Sequence, residues 1–195
     1  MDKHVNFICR SANYNIRALC HVRSTTSAEV ANNIACAIVG ARLDYCNPLL
    51  LGTSKTNVVK PQHLQNSTAW VVTRTCKFDS ITAVLMRLHW LPIQSRIQYK
   101  FTVLTCMALQ SGQPEYLSSL LQWHEPTHIL RLSARQHLIV PEDVWTAFAS
   151  CAFSCAAPEI WNSLSPDVID AFMSNSVACF KSHLKTHLYR QSFSK

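Results

Sequence analysis

The sequence predicts a mainly α-helical fold, and three observations predict it. Apolar residues recur at intervals of three and four along most of the chain, the period of helices buried on one face. Only 3 of the 195 residues are glycine, too few for many tight turns. Hydrophobic residues make up 48% of the chain, a normal globular share. They are dispersed, however, and no apolar run approaches the roughly 18–20 residues that span a bilayer.

The elements follow in order. Residues 4–20 predict an amphipathic helix with Val5, Ile8, Ala12, Ile16 and Leu19 on one face. Lys3, Asn6, Arg10, Asn13 and Arg17 fall on the opposite face. A second helix is expected from a Ser27 N-cap, with Val30 to Val39 as its body. Ala41 to Leu51 either continues it or forms a short partner after a break at Pro48. Residues 56–74 have a helical pattern containing Pro61; since proline breaks a helix interior, the start is expected near Lys60.

A helix over 79–90, capped by Asp79 or Ser80, precedes Leu91-Pro92, which opens a long helix. Ile93, Ile97, Phe101, Leu104 and Ala108 line that helix to about Gln110, before Gly112 and Pro114. Tyr116 to Leu121 predicts a helical turn. Residues 122–140 then change character. A strand over Gln136 to Val140 and a return strand over Val144 to Ala149 predict a small β-hairpin, spanning about 129–149. Phe153 to Trp161 is helical. A last helix, about 175–192, carries Val177, Phe180, Leu184 and Leu188 on one face. Charge and periodicity both change near 111–126, which divides the chain into a helical bundle (1–110) and a C-terminal extension (111–195).

Charge is unevenly placed. Residues 1–110 carry a balance of +8, residues 111–176 one of −5 and residues 177–195 one of +4. A basic first half points to an anionic partner, of which nucleic acid is the commonest, although a basic surface can serve solubility alone. Cations alternate with aromatics there: Arg10, Tyr14, Arg17, Arg42, Tyr45, Lys60, Trp70, Arg74 and Lys77. Cations hold phosphates and exposed rings can stack on bases. Taken singly, Tyr14, Tyr45, Trp90 and Trp161 are expected in the core.

Catalytic chemistry finds no complete constellation. Nine cysteines and nine histidines invite a metal site, and Cys151/Cys155 and His183/His187 are each four apart. A structural zinc site takes four ligands, and no matching second pair lies near either, so core cysteines and surface histidines are expected. No Cys-x-x-Cys pair occurs and no apolar leader follows the polar start; reduced thiols and an intracellular location are expected. There is no Gly-x-Ser-x-Gly elbow and no Gly-rich phosphate loop. Glu142-Asp143 and Asp167/Asp170 are more simply turn or helix-start acids than a two-metal centre.

Six ordered segments resemble the reverse transcriptases of LINE-type (non-LTR) retrotransposons, in their jockey-like and chicken-repeat-like branch. Ala41-Arg42-Leu43-Asp44-Tyr45-Cys46-Asn47-Pro48-Leu49-Leu50 is similar to their S-R-L-D-Y-C-N-S-L-L segment. Leu64-Gln65-Asn66-Ser67-Thr68-Ala69 resembles V-Q-N-A-A-A. Leu88-His89-Trp90-Leu91-Pro92-Ile93 matches L-H-W-L-P-[VI], and Pro114-Glu115-Tyr116-Leu117-Ser118 resembles P-x-Y-L-S. Ala152 to Leu164, with Pro158, Trp161 and Asn162, resembles A-F-S-x-A-A-P-x-L-W-N-S-L, and Phe180-Lys181 with Leu184 to Leu188 closes the series.

The resemblance implies the helical thumb and the C-terminal extension of the polymerase, beyond its palm. The family's catalytic aspartates belong to an upstream motif that is absent here, as is the endonuclease, so no catalytic residue carries over. Arg42, Asp44, Tyr45, Asn66, His89, Trp90, Pro92, Pro158, Trp161 and Asn162 are then structural residues. The thumb of such polymerases holds the primer–template duplex by its backbone. The expected contacts are Lys3, Arg10, Arg17, Arg23, Lys60 and Arg74, and the expected partner is RNA–DNA hybrid or duplex nucleic acid. No cofactor, membrane or small-molecule substrate is implied.

His63, Trp70, Met107 and Cys151 stand where the family has basic residues, and Pro61 where it has an apolar one. That pattern suggests decay of an ageing element copy. The competing expectations are a repurposed protein-binding module, acting through the apolar face of the last helix or the surface around Trp161, and a translated relic without function.

Overall fold

The structure is a computed structural model, and it describes residues 1–76, 78–124, 137–141, 146, 149–174 and 176–194. It is mainly α, with ten α-helices among the described residues. The chain divides into two compact units, Met1–Ile97 with Ser192–Lys195, and Gln98–Gln191. The division falls inside a helix, earlier than the boundary near 111–126 expected from charge and periodicity. Periodicity marks where a helix ends, whereas one long helix can supply apolar residues to two cores.

In the first unit, α1 (Asp2–Val22) buries Val5, Ile8, Ala12, Ile16 and Leu19, the predicted stripe. Ser27 caps α2 (Ala28–Ala35), its Oγ accepting from the Val30 amide at 3.2 Å. The helix then continues through a π-helical turn, Cys36–Gly40, into α3 (Ala41–Asp44). The break comes at Tyr45 and Cys46, ahead of Pro48. Tyr45 is extended and Cys46 is left-handed, with φ 53°. Pro48 instead sits at the start of a 3-10 turn, Asn47–Leu50, where its fixed φ is no obstacle.

The next helix, α4 (Lys55–Thr73), starts earlier than the expected Lys60 and carries Pro61 in its interior. Proline has no N–H, so the usual bond to the Asn57 carbonyl is missing. Tertiary packing keeps the helix regardless, for Pro61, Leu64, Ala69 and Val72 are all buried. Two core clusters result. Val5, Ile8, Ala12 and Ile16 of α1 pack with Val39, Leu43, Leu50, Leu64, Ile93 and Ile97. Leu19 packs with Ala31, Ala35, Ala69, Val72, Val84, Leu85 and Trp90.

The segment Leu88 to Ile93 is a helix stop followed by a helix start. α5 (Ile81–Leu88) ends on His89, which is left-handed at φ 54°. The His89 amide donates to Met86 O and the Trp90 amide to Leu85 O, both at 3.0 Å. These bonds satisfy the last carbonyls of the helix. The turn sends Trp90 and Leu91 into the core, and α6 (Ile93–Ser111) begins after Pro92. Side chains of α4 secure the turn. Gln62 Oε1 accepts from the Ile93 amide at 2.9 Å, and Gln65 Nε2 donates to Leu91 O at 2.8 Å.

In the second unit α6 buries Phe101, Val103, Cys106 and Ala108, and Leu104 is half-buried. Gly112, at φ 65°, ends it. After α7 (Glu115–Ser118) come α8 (Phe153–Asn162), α9 (Pro166–Met173) and α10 (Val177–Phe193). An aromatic cluster centres on Trp161, which is 1% exposed. Phe172 meets it edge-on at 4.9 Å between centroids, Trp123 edge-on at 6.3 Å, and Phe180 stacks at 5.9 Å.

The expected β-hairpin over 129–149 lies largely outside the described residues. Within them, Leu138 forms a single antiparallel bridge with Trp123, and Ala149 belongs to a 3-10 turn, Ala149–Cys151, where a return strand was expected. The buried Leu138 is held by Asn162, whose Oδ1 accepts from its amide and whose Nδ2 donates to its carbonyl, both at 2.9 Å. A side-chain amide here satisfies both backbone polar groups of Leu138.

Candidate nucleic-acid interface

The face of α1 opposite its buried stripe is exposed from end to end. Lys3, Asn6, Phe7, Arg10, Asn13, Tyr14, Arg17 and His21 all lie on it. A step of about 100° per residue puts Lys3, Arg10 and Arg17 nearly in line, about 10.5 Å apart along the axis. Asp2 is the only acid of this helix, and its Oδ1 accepts from the buried Asn57 Nδ2 at 2.8 Å. Lys60 joins the stripe from α4, its Nζ donating to Asn6 Oδ1 at 2.9 Å. Of the six predicted phosphate contacts, the structure thus brings Lys3, Arg10, Arg17 and Lys60 onto one surface.

The other two lie beyond the C-terminal end of α1. Arg23 is 8% exposed. Its Nε donates to Val72 O at 2.9 Å and one terminal nitrogen to Thr26 O at 2.7 Å, so it ties the α1–α2 turn to α4. A guanidinium held this way has no reach to a phosphate, and its expected role is corrected to a structural one. Arg74 is exposed but donates to the Arg23 carbonyl, and its left-handed backbone ends α4. It clasps the same junction.

The family-motif residues outside this face mostly shape the scaffold. Arg96 holds Asp44 with two contacts, one of them Nε to Oδ1 at 2.9 Å, and Asp44 Oδ1 also accepts from Asn47 Nδ2 at 3.1 Å. Asn66 Oδ1 accepts from Gln62 at 2.8 Å. Trp90, with Gln65, Arg96 and the π-helical turn, lines a small cavity of about 50 Å³. Pro158 is buried within α8, and Arg42 is exposed. Two of the four aromatics expected in the core are not there: Tyr14 is 75% exposed and Tyr45 60%. Phe7, which sequence reasoning passed over, is 67% exposed. Its position seven residues before Tyr14 was the available signal. Trp70, at a place where the resembled family is basic, buries its indole N–H without a hydrogen-bond partner among the described residues.

No family model, curated protein or solved structure matches this chain.

Burial pushes the Cys9 thiol up, against the pull of Lys60. It pushes Cys106 up to about 11, against Lys181. A thiol nucleophile requires the opposite shift. Among the described residues no disulfide joins the cysteines, and no group of three or more His, Cys, Asp or Glu is placed to hold a metal ion. Among them, too, no helix is long and apolar enough to cross a membrane. The two surfaces expected of a protein-binding module are interior: Trp161 is buried, and so are Phe180, Leu184 and Leu188 of α10. Both belong to the core of the second unit.

Proposed function

We propose that this chain corresponds to the thumb and C-terminal part of a LINE-type reverse transcriptase, an RNA-directed DNA polymerase. Its remaining capacity is sequence-independent binding to nucleic-acid backbone, with an RNA–DNA hybrid or duplex as partner. On its own it is not an enzyme, and its place is inside the cell. The observation that carries the binding is the exposed α1 face, where Lys3, Arg10 and Arg17 align with Lys60 beside them against a single acid, Asp2, on that helix. The motif residues support the ancestry by the roles they take: His89 turns, Trp90 and Leu91 fill the core, Pro92 precedes a helix and Asn162 clamps Leu138. A buried Trp70 N–H with no partner among the described residues and an interior Pro61 are features that relaxed selection leaves behind.

Fluorescence anisotropy of a labelled RNA–DNA hybrid tests this. With about four phosphate contacts, affinity falls roughly a hundredfold between about 50 and 200 mM salt. Changing Lys3, Arg10 and Arg17 together to Ala removes most of that salt dependence. A folded protein that binds no hybrid at low salt would refute the proposal.

A further inference from the structure

We propose that the exposed face of α1 takes unpaired bases, so that the protein prefers single-stranded nucleic acid to duplex, with Phe7 and Tyr14 as stacking platforms. This rests on the backbone-binding proposal above, with hybrid and duplex as the weaker ligands of the same face and single strand as the tighter one.

Lys3, Phe7, Arg10, Tyr14, Arg17 and His21 succeed one another at intervals of four and three, which places them along one ridge of the helix. Cation and ring alternate along that ridge. Both rings are more exposed than buried, while the opposite face of the same helix is fully packed. They therefore add nothing to the core, and two large apolar groups on one solvent-facing ridge mark a contact surface. Charge chooses the occupant. The ridge carries three cations against a single acid on the same helix, Asp2, so its charge is net positive, and an anionic polymer fits it where an acid-poor apolar partner does not.

The rings then discriminate between strands. A duplex presents sugar and phosphate to a helix face and keeps its bases stacked and paired, which leaves Phe7 and Tyr14 without a stacking surface. A single strand offers both backbone charge and free base faces. The rings are about 10.5 Å apart along the axis. That is about three times the 3.4 Å per-strand rise of stacked bases, with Arg10 between them for the intervening phosphates. A third ring flanks the N-terminal end, for exposed Tyr45 lies 6.1 Å from the ring of His4.

The test uses the full chain and three labelled probes: a single strand of about 16 nucleotides, the same strand annealed to its complement, and an abasic strand of equal length. Anisotropy is read at one low salt concentration. Phe7→Ala with Tyr14→Ala should weaken single-strand binding about tenfold or more, and change duplex binding less than about twofold, since the phosphate contacts remain. The abasic strand should bind wild type about as weakly as the intact strand binds that variant. Phe7→Leu with Tyr14→Leu keeps apolar volume without rings and should behave like the alanine pair, whereas Tyr14→Phe should retain binding. Both side chains are exposed, so an unchanged melting temperature verifies that the fold survives. Equal losses on strand and duplex, or an abasic strand held as tightly as the intact one, would overturn the inference. So would self-association abolished by these substitutions with no change in strand affinity. Loss of strand preference alone leaves backbone binding standing, whereas failure of every probe at low salt removes both proposals.

Discussion

The two units hold themselves together differently. The first buries Arg23, Asn47, Asn57, Gln65 and Thr68, and several of these reach across to another element: Arg23 to Val72, Asn57 to Asp2, Gln65 to Leu91. In the second, the buried Thr102 and Thr105 bond to carbonyls of their own helix, the half-buried Asn162 and Gln110 supply the bonds to other elements, and the core is gathered around Trp161. Cross-element hydrogen bonds specify register, because a buried polar group that slips out of place loses its partner and remains out of water. Aromatic packing contributes more area but less direction. The unit that offers a cationic face to solvent is the one whose fully buried polar side chains bond across elements, which suits a surface on which charges must keep their spacing.

The contrast between the units breaks most readily at the aromatic core of the second. Trp161→Ala should cost that unit about 3–5 kcal/mol, read as loss of near-ultraviolet circular dichroism and an early unfolding transition. The α1 face should still bind nucleic acid if the first unit stands without it. Arg23→Met comes next. It keeps the aliphatic stem but leaves Val72 O and Thr26 O without their donor, for a loss of about 1–3 kcal/mol by chemical denaturation. Its effect on nucleic-acid affinity at a temperature where the variant is folded should be small, because Arg23 is not on the exposed face. A large affinity loss in folded Arg23→Met would restore this arginine to the interface.

The smallest effect concerns pH. Burial raises Cys106 from the ordinary 9.0 to about 11. Below about 9 the thiol is protonated in both folded and unfolded chains, and its contribution is fully present. As pH climbs from there toward 11, the unfolded chain releases the proton while the folded one keeps it, so stability falls. Melting temperatures between about pH 8 and 10.5 should therefore decline more steeply in wild type than in Cys106→Ala. Parallel curves would contradict the burial of this thiol.

Much of the helical framework was legible in the residues. The α1 stripe is buried position for position, the Ser27 cap forms its bond, and Phe180, Leu184 and Leu188 all face inward, because periodicity and capping are local properties. The candidate site was legible in part. Lys3, Arg10 and Arg17 follow from helical spacing alone, and Lys60 joins them only because α4 packs along α1. Arg23 was misassigned for the same reason, since a cation just past a helix end reads as solvent-exposed until a second helix covers it. Tyr14 and Tyr45 were expected inside on the general tendency of large rings to pack, a tendency that carries no information about which face a given ring occupies.

By itself, then, the sequence determined that the chain is mainly helical, where most helices lie, and that cations dominate the first half and the exposed side of its first helix. The tertiary structure alone decided that a proline-bearing α4 starts at Lys55, that the chain divides within α6, that Arg23 serves the interior and that Phe7 and Tyr14 share a ridge with the cations. Helix position and facing depend on residues three and four apart, which any stretch of chain contains. Burial and partnership depend on residues tens of positions away, such as Val72 for Arg23 and Asn57 for Asp2, and only folding brings those together.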